Sequence, residues 1–190
     1  MPPPLPEEKT ACMALVLENK PSLTLDAVCL AVEKVLLIPL AFPALFVLIV
    51  TDGIWEDNKY IGGVDYWIGI ESRGFVFAAP LSHQLKKPFI LLRKKNKLPA
   101  DTHSVDFELE YGKATVEVHK DSINKDEKIL IVDDLIATGG TAEAAAKLVE
   151  ISGGKVAGFI FVINLFDLPG NKLLKEKGYL TESLIEFPGH

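Results

Sequence analysis

One segment, ILIVDDLIATGGT from Ile129 to Thr141, constrains the fold of this chain more than any other. Lys128–Val132 has the length and the β-branched content of a buried strand in a parallel sheet. Asp133 and Asp134 follow this strand, and a small, glycine-bearing turn then leads into a predicted helix from Thr141. Because open α/β sheets bind ligands at the carboxyl ends of their strands, this order predicts an α/β fold with a ligand site at the turn.

The turn has the composition of an anion-binding site. It offers unencumbered backbone N–H groups and two hydroxyls, from Ala137, Thr138, Gly139, Gly140 and Thr141. Unpaired amides and the positive end of a helix dipole favour a phosphate at this position. We expect Asp133 and Asp134 to accept hydrogen bonds from vicinal sugar hydroxyls or to hold a divalent cation through water. The alternative is an ordinary capped turn, in which Asp and Thr are common.

The segment resembles the phosphoribosyl pyrophosphate (PRPP) site of the type I phosphoribosyltransferases, in which an apolar strand, two acidic residues, three spacers and TGGT follow one another. The resemblance implies that Asp133 and Asp134 contact the ribose hydroxyls and that Ala137–Thr141 bind the 5′-phosphate. It also implies a type I phosphoribosyltransferase-like α/β fold, with a central, mostly parallel sheet flanked by helices. This segment leaves the acceptor base open.

A second polar loop follows an apolar strand in IGIESRGFVFAAP, from Ile68 to Pro80. The guanidinium of Arg73 presents several donors in a rigid fork that suits a pyrophosphate, although a surface arginine that caps a turn is the alternative. The order acidic residue, Ser, Arg, Gly and Phe resembles the pyrophosphate loop of the adenine phosphoribosyltransferases. This resemblance implies pyrophosphate-binding roles for Glu71, Ser72 and Arg73.

Basic side chains cluster in LLRKKNKLPADTHS, from Leu91 to Ser104. Such a cluster is either a solvated surface or a cationic loop that faces the charges of a pyrophosphate. It resembles the RKxGKLP element of the adenine enzymes, which implies pyrophosphate-binding roles for Arg93, Lys94 and Lys97. Asn96 stands where that element has glycine, a mild departure because Asn tolerates a left-handed conformation.

A third segment, LEYG from Leu109 to Gly112, supplies a candidate catalytic residue. Taken alone, Glu110 is one exposed carboxylate among many. The segment resembles the mobile catalytic loop of adenine phosphoribosyltransferases, which implies that Glu110 handles the ring proton of adenine and that Tyr111 forms part of a lid. A positioned general base typically contributes about 10² to 10⁴ in rate.

Together these segments resemble the adenine enzymes of purine salvage. The resemblance implies a cytoplasmic homodimer that forms AMP and pyrophosphate from adenine and PRPP. Mg²⁺ is the implied cofactor, held mainly by PRPP and water, so no direct protein ligand is expected, and the four histidines show no ligand spacing. A transferase for another purine base and a regulator that senses PRPP without catalysis stay open as alternatives.

Composition limits the remaining classes of function. A formal net charge of −6 argues against a nucleic-acid-binding surface, and Cys12 and Cys29 are too few for a disulfide scaffold. The apolar stretch Val35–Val50 contains Pro39 and Pro43, which argues against a membrane span.

From Tyr66 onward the pattern predicts a doubly wound sheet. Predicted strands are 66–70, 88–92, 104–108, 114–119, 128–132 and 155–164, and predicted helices are 75–85, 141–152 and 170–177, followed by a short terminal strand. The resemblance covers roughly Asp65 to Glu186. The usual hood motif of the adenine enzymes, FPxxGxxFxDI, is absent before it. We therefore divide the chain into an atypical N-terminal hood region, residues 1–64, and a PRPP-binding core, residues 65–190.

Overall fold

The computed structural model describes residues 63–109 and 112–189, which form alternating strands and helices. In chain order the elements are β1 Tyr66–Ile70, α1 Arg73–Leu85, β2 Phe89–Lys94, β3 Thr102–Leu109, β4 Gly112–His119, β5 Lys128–Ile136, α2 Gly140–Ile151, β6 Lys155–Leu165, α3 Gly170–Glu176 and β7 Thr181–Phe187. Each strand and helix predicted from Tyr66 onward is present, with ends that shift by a few residues.

The strands form one sheet in the order β3–β4–β2–β1–β5–β6–β7. Strands β2, β1, β5, β6 and β7 pair in parallel, whereas β4 pairs antiparallel with both β3 and β2. The predicted α/β fold with a mostly parallel sheet is therefore confirmed. The central strands β1 and β5 read as near-continuous apolar runs because both of their faces are covered, and Ile68 and Ile131 are fully buried.

Strands β1 and β5 run parallel, but the strands that follow them in the chain are added on opposite sides of the sheet. From β1 the chain crosses through α1 to β2 on one side, and from β5 it crosses through α2 to β6 on the other. Because such crossovers are right-handed, opposite directions place α1 and α2 on opposite faces of the sheet. A crevice therefore opens beyond the carboxyl ends of β1 and β5, where sheets of this kind bind ligands.

Strand β5 is longer than its sequence predicts. The prediction ended it at Val132, but Leu135 and Ile136 continue the pairing with Ile163 and Asn164 of β6. Aspartate is typical of turns, so the sequence pattern places the end of the strand too early. As a result, both aspartates are held within the sheet rather than in the turn after it.

Helix α2 packs on the sheet through small side chains. Ala142, Ala145 and Ala146 are buried, and side chains of this size allow the helix backbone to approach the strands closely.

Residues 1–62 of the predicted hood region lie outside the described residues, so the division of the chain at residue 64 stays a prediction. Within the described ranges no helix is long and apolar enough to cross a membrane.

Candidate active site

A cleft of about 620 Å³ opens at the carboxyl ends of β1 and β5. Small-molecule sites typically enclose about 300 to 1,000 Å³. The cleft brings together residues from both predicted loops and from the basic cluster: Glu71, Ser72, Arg73, Lys94, Asp133, Asp134 and Ala137–Thr141. Sequence analysis did not single out Phe107, Thr115 or Phe161, which also line it, because apolar and Thr residues on strands carry no motif.

The phosphate loop, Ala137–Thr141, joins β5 to the N terminus of α2. Gly139 has a φ of +93°, a left-handed conformation that favours glycine, and it occupies the position before the helix, where no side chain caps the amides. The first amides of a helix have no acceptor within the helix itself. The N terminus of α2 is therefore available to an anion in the cleft.

The N terminus of α1 lies at the same cleft. It follows the pyrophosphate loop, Glu71–Gly74, in which the Glu71–Ser72 peptide bond is cis, and no side chain caps it. Gly74 is required because a Cβ there would lie 2.6 Å from the carbonyl oxygen of Val132. Two uncapped helix ends thus meet at adjacent strands, and both of their dipoles favour negative charge.

Asp133 lies deep in the cleft against the first turn of α1. Its Oδ1 accepts a hydrogen bond from the backbone N–H of Asp134 at 2.9 Å, and a Cβ on Gly74 would lie 3.1 Å from the same oxygen. Burial raises the pKa of Asp133 to about 8, and the charge of Asp134 acts in the same direction. Asp133 therefore retains its proton to a higher pH than an ordinary aspartate.

Asp134 forms an ion pair with Arg73, whose Nε lies 2.5 Å from Oδ2. The Arg73 side chain is 73% exposed and the Asp134 side chain is 20% exposed, so the pair lies at the mouth of the cleft. Arg73 is a predicted pyrophosphate ligand and Asp134 a predicted ribose ligand. The two side chains therefore neutralise each other's charge.

Glu71 contacts the basic segment, Arg93–Lys97. Its carboxylate accepts hydrogen bonds from Arg93 Nε at 3.2 Å, from Arg93 Nη2 at 3.4 Å and from the backbone N–H of Lys94 at 2.8 Å. The hydrogen bond from Arg93 lowers the pKa of Glu71. Among the described residues, Lys94 lines the cleft, whereas Arg93 and Lys97 do not.

The basic segment is anchored to β4. Asn96 has a φ of +63°, the left-handed conformation that Asn tolerates. Its N–H donates to Oε2 of Glu117 at 3.0 Å, and Glu117 is only 7% exposed. The neighbouring Lys95 N–H donates to the carbonyl of Thr115 at 3.2 Å. Sequence analysis missed Glu117 because a lone glutamate on an alternating strand carries no signal.

Glu110 and Tyr111 lie outside the described residues, so their catalytic and lid roles stay predictions. The flanking strands do reach the cleft, since Phe107 of β3 and Ala114 of β4 line it. In the described part of the chain, no group of three or more His, Cys, Asp or Glu side chains is placed to hold a metal ion.

Known proteins share this arrangement of sequence and fold. Residues 47–187 match the family model of the phosphoribosyl transferase domain, a match that starts earlier than the predicted boundary at Asp65. Adenine phosphoribosyltransferase of Pelagibacter ubique is 70% identical over 127 residues, which are 67% of this chain and 73% of that protein.

Two solved structures extend the comparison. Adenine phosphoribosyltransferase from Thermoanaerobacter pseudethanolicus has a TM-score of 0.67 at 43% identity and covers 78% of this chain and 84% of its own. The Saccharomyces cerevisiae enzyme, complexed with an imino-altritol bisphosphate and adenine, has a TM-score of 0.68 at 33% identity, with 75% and 81% covered. Both structures are of adenine phosphoribosyltransferases, the name that the relative from Pelagibacter ubique also has.

Proposed function

The chain belongs to the phosphoribosyl transferase family, and we propose that its cleft carries out the adenine reaction of purine salvage. The family resemblance expected from the loop motifs is confirmed. The enzyme is a transferase that moves the phosphoribosyl group of PRPP to adenine, giving AMP and pyrophosphate. The observation that carries the proposal is the meeting of two uncapped helix ends on either side of an acidic pair in one cleft.

The reaction breaks the bond between C1 of the ribose and the pyrophosphate oxygen and forms a bond from N9 of adenine to C1. The ring proton of adenine leaves, so the products are AMP, pyrophosphate and a proton. Separation of a cationic sugar from an anionic leaving group dominates the barrier. We assign Arg73 and Lys94 to the pyrophosphate and the phosphate loop to the 5′-phosphate, because all of these groups line the cleft that holds the acidic pair.

Glu71 has a different role in this proposal. A carboxylate only accepts hydrogen bonds when ionised, and it repels an anion. Its three contacts to Arg93 and Lys94 position the basic segment beside the cleft. Arg93 and Lys97 then add positive charge near the leaving group without lining the cleft themselves.

We assign Asp133 and Asp134 to the ribose of PRPP. A protonated Asp133 donates one hydrogen bond as well as accepting others, which suits a pair of vicinal hydroxyls. The two carboxyl groups also fit Mg²⁺ held through water, because this ion needs few protein ligands and keeps several waters. When bound, Mg²⁺ would neutralise charge on the pyrophosphate.

The catalytic role of Glu110 in this proposal comes from the resemblance and from its neighbours in the chain. Phe107 and Ala114, on the strands before and after it, line the cleft. A Cβ on Gly140 would lie 3.2 Å from the carbonyl of Glu108, so the end of β3 lies against the phosphate loop. Glu110 would take the proton that adenine loses, and Tyr111 would cover the closed site.

The cytoplasmic location and the homodimer are part of the same proposal and rest on the family resemblance. Light scattering on the eluting peak of a gel-filtration column tests the second: a mass of twice 20.8 kDa supports it, and 20.8 kDa contradicts it.

The experiment that tests the function is an assay of purified protein with PRPP, Mg²⁺ and each of adenine, hypoxanthine, guanine and xanthine. AMP formed from adenine alone supports the proposal. Turnover of another base would contradict the adenine assignment. Saturable PRPP binding without turnover of any base would indicate a sensor of PRPP instead of an enzyme.

A variant pair tests the role of Glu110 in the same assay. We expect Glu110→Gln to lower kcat by about 10² to 10⁴ while PRPP affinity is kept, the usual contribution of a general base. Glu108→Gln, two residues earlier on β3, is the matched control and should keep kcat. An unchanged kcat in Glu110→Gln would remove this residue from the mechanism.

A further inference from the structure

The turn before α3 packs directly on the phosphate loop. The N–H of Gly170 donates to the carbonyl oxygen of Ala137 at 2.9 Å. Gly139, the left-handed residue of the loop, lies on the same glycine, since a Cβ on Gly139 would be 2.9 Å from the Cα of Gly170. Gly170 is buried although it begins a helix of seven residues.

There is no room for a side chain at Gly170. A Cβ there would overlap the carbonyl oxygen of Ala137 and would lie 2.7 Å from the backbone nitrogen of Gly139. Real Cβ atoms essentially never approach other atoms within 3.0 Å. Both neighbours are backbone atoms of the phosphate loop, so the overlap can be relieved only if the loop or the turn before α3 moves, and either shift disturbs their contact.

The contact also determines which polar groups the loop can present to the cleft. The Ala137 carbonyl is engaged by Gly170 and is therefore held away from a bound anion, which it would repel. The amides at the start of α2 remain uncapped by any side chain. Anion sites of this type depend on such a fixed arrangement of N–H groups.

From these contacts we infer that Gly170 is a positioning residue for the 5′-phosphate, although it does not touch the substrate. The inference rests on the proposed function, which supplies the 5′-phosphate as ligand. Ile136 supports the same contact from the other side, because its Cγ1 would lie 2.9 Å from a Cβ on Gly170. The Pro169–Gly170 pair reads in sequence only as a turn, so no motif identifies this role.

Gly170→Ala tests the inference through two separate ligands. Ribose 5-phosphate reports on the phosphate loop, and inorganic pyrophosphate with Mg²⁺ reports on the pyrophosphate loop. By titration calorimetry we expect the Kd for ribose 5-phosphate to rise about 10- to 100-fold, as for the loss of one charge-assisted hydrogen bond or slightly more. The Kd for pyrophosphate should stay within about twofold of the value for the unmodified chain, a change in binding free energy of under about 0.5 kcal/mol.

Two further variants separate positioning from folding. Gly154→Ala introduces a similar overlap in the core, with Ile123 and Ile129 at 2.8 Å, and should lower Tm without changing either Kd. Ile136→Ala loosens the support of Gly170 by removing volume, and it should weaken ribose 5-phosphate selectively. It also keeps the test valid if Gly170→Ala does not fold.

The inference is wrong if both Gly170→Ala and Ile136→Ala bind ribose 5-phosphate as the unmodified chain does, or if they weaken both ligands equally. If the unmodified chain binds ribose 5-phosphate but does not convert adenine, the proposed reaction fails and the positioning role can still be measured. If it binds no ribose 5-phosphate, both fail.

Discussion

The phosphate loop and the pyrophosphate loop occupy equivalent positions, each between a central strand and the N terminus of a helix, yet they are held by different forces. Backbone packing holds the phosphate loop, where Gly139 and Gly170 bring two segments of main chain together. At the pyrophosphate loop, where Gly74 also packs closely on Val132, charged side chains add two ion pairs, Arg73 with Asp134 and Glu71 with Arg93.

This difference indicates how each loop responds to its ligand. Amides fixed by packing need no rearrangement to receive a phosphate, so the phosphate loop is preorganised. Arg73 forms an ion pair with Asp134, and in its proposed role it would exchange this pair for the oxygens of pyrophosphate. The proposed ribose and pyrophosphate contacts are therefore coupled through one salt bridge, which the following variants are designed to break or to refine.

The largest effect is expected from Asp133→Asn combined with Asp134→Asn. Loss of the charged acceptor Asp134 and of the Asp133 carboxyl should raise the Kd for PRPP by about 30- to 2,000-fold, since a hydrogen bond to a charged group contributes about 1.5 to 3 kcal/mol and a neutral one about 0.5 to 1.5 kcal/mol. Calorimetry measures this change. Asp101→Asn with Asp126→Asn, two exposed carboxyl groups in ion pairs with lysines, is the matched control. Unchanged PRPP affinity would exclude the ribose assignment.

The pH dependence of stability should depend on Asp133. Its pKa rises from 3.8 to about 8 on folding, so the folded state keeps a proton that the unfolded state loses. The free energy of unfolding should therefore fall as pH rises from about 4 to about 8 and be level above that.

Urea unfolding at pH 5, 7 and 9 measures this dependence in the unmodified chain and in Asp133→Asn. The amide cannot ionise, so the variant should lose the decline and should gain stability relative to the parent at pH 9. A decline of the same size in both proteins would show that another group titrates.

Arg73 tests the coupling itself. Arg73→Ala should raise the KM for PRPP about 10- to 100-fold, because a forked cation contributes charge-assisted hydrogen bonds to the pyrophosphate. Arg73→Lys keeps the charge but not the forked donor geometry, so its KM for PRPP should lie between those of the parent and Arg73→Ala. Initial rates at varied PRPP provide the measurement, and equal KM values for the parent and Arg73→Ala would contradict the pyrophosphate role.

The smallest effect is expected at Asn96, which holds a φ of +63° beside the pyrophosphate loop. Asn96→Ala should lose about 1 kcal/mol of stability, because a left-handed conformation is costly for residues with a Cβ, and Asn96→Gly should lose little or none. Urea unfolding compares the pair. Equal stability of the two variants would mean that the left-handed conformation costs this segment nothing.

Much of the fold could be predicted because strands and helices here follow local rules. The apolar runs at Tyr66–Ile70 and Lys128–Val132 predicted the two central strands, and the glycine turn after Asp134 predicted the start of α2. The predicted length of β5 was wrong because its last residues are held by pairing with β6, which no local sequence pattern reports.

The candidate site divides in the same way. Motifs predicted the pyrophosphate loop, the acidic pair and the phosphate loop, and the structure brings all three to one cleft. It also places Arg93 against Glu71 and anchors Asn96 on Glu117, contacts between side chains far apart in the sequence. The catalytic role of Glu110 and the lid role of Tyr111 remain predictions from the sequence alone.

The sequence by itself determined which chemical groups this protein can use, because turns, helix ends and the proposed phosphate-binding residues are encoded over short stretches of chain. The tertiary structure decided how those groups are protonated, paired and positioned. Only packing buries Asp133 enough to keep its proton, places Arg73 on Asp134, and seats Gly170 against the phosphate loop. These features depend on distances between segments that are remote in sequence, and a local pattern contains no information about them.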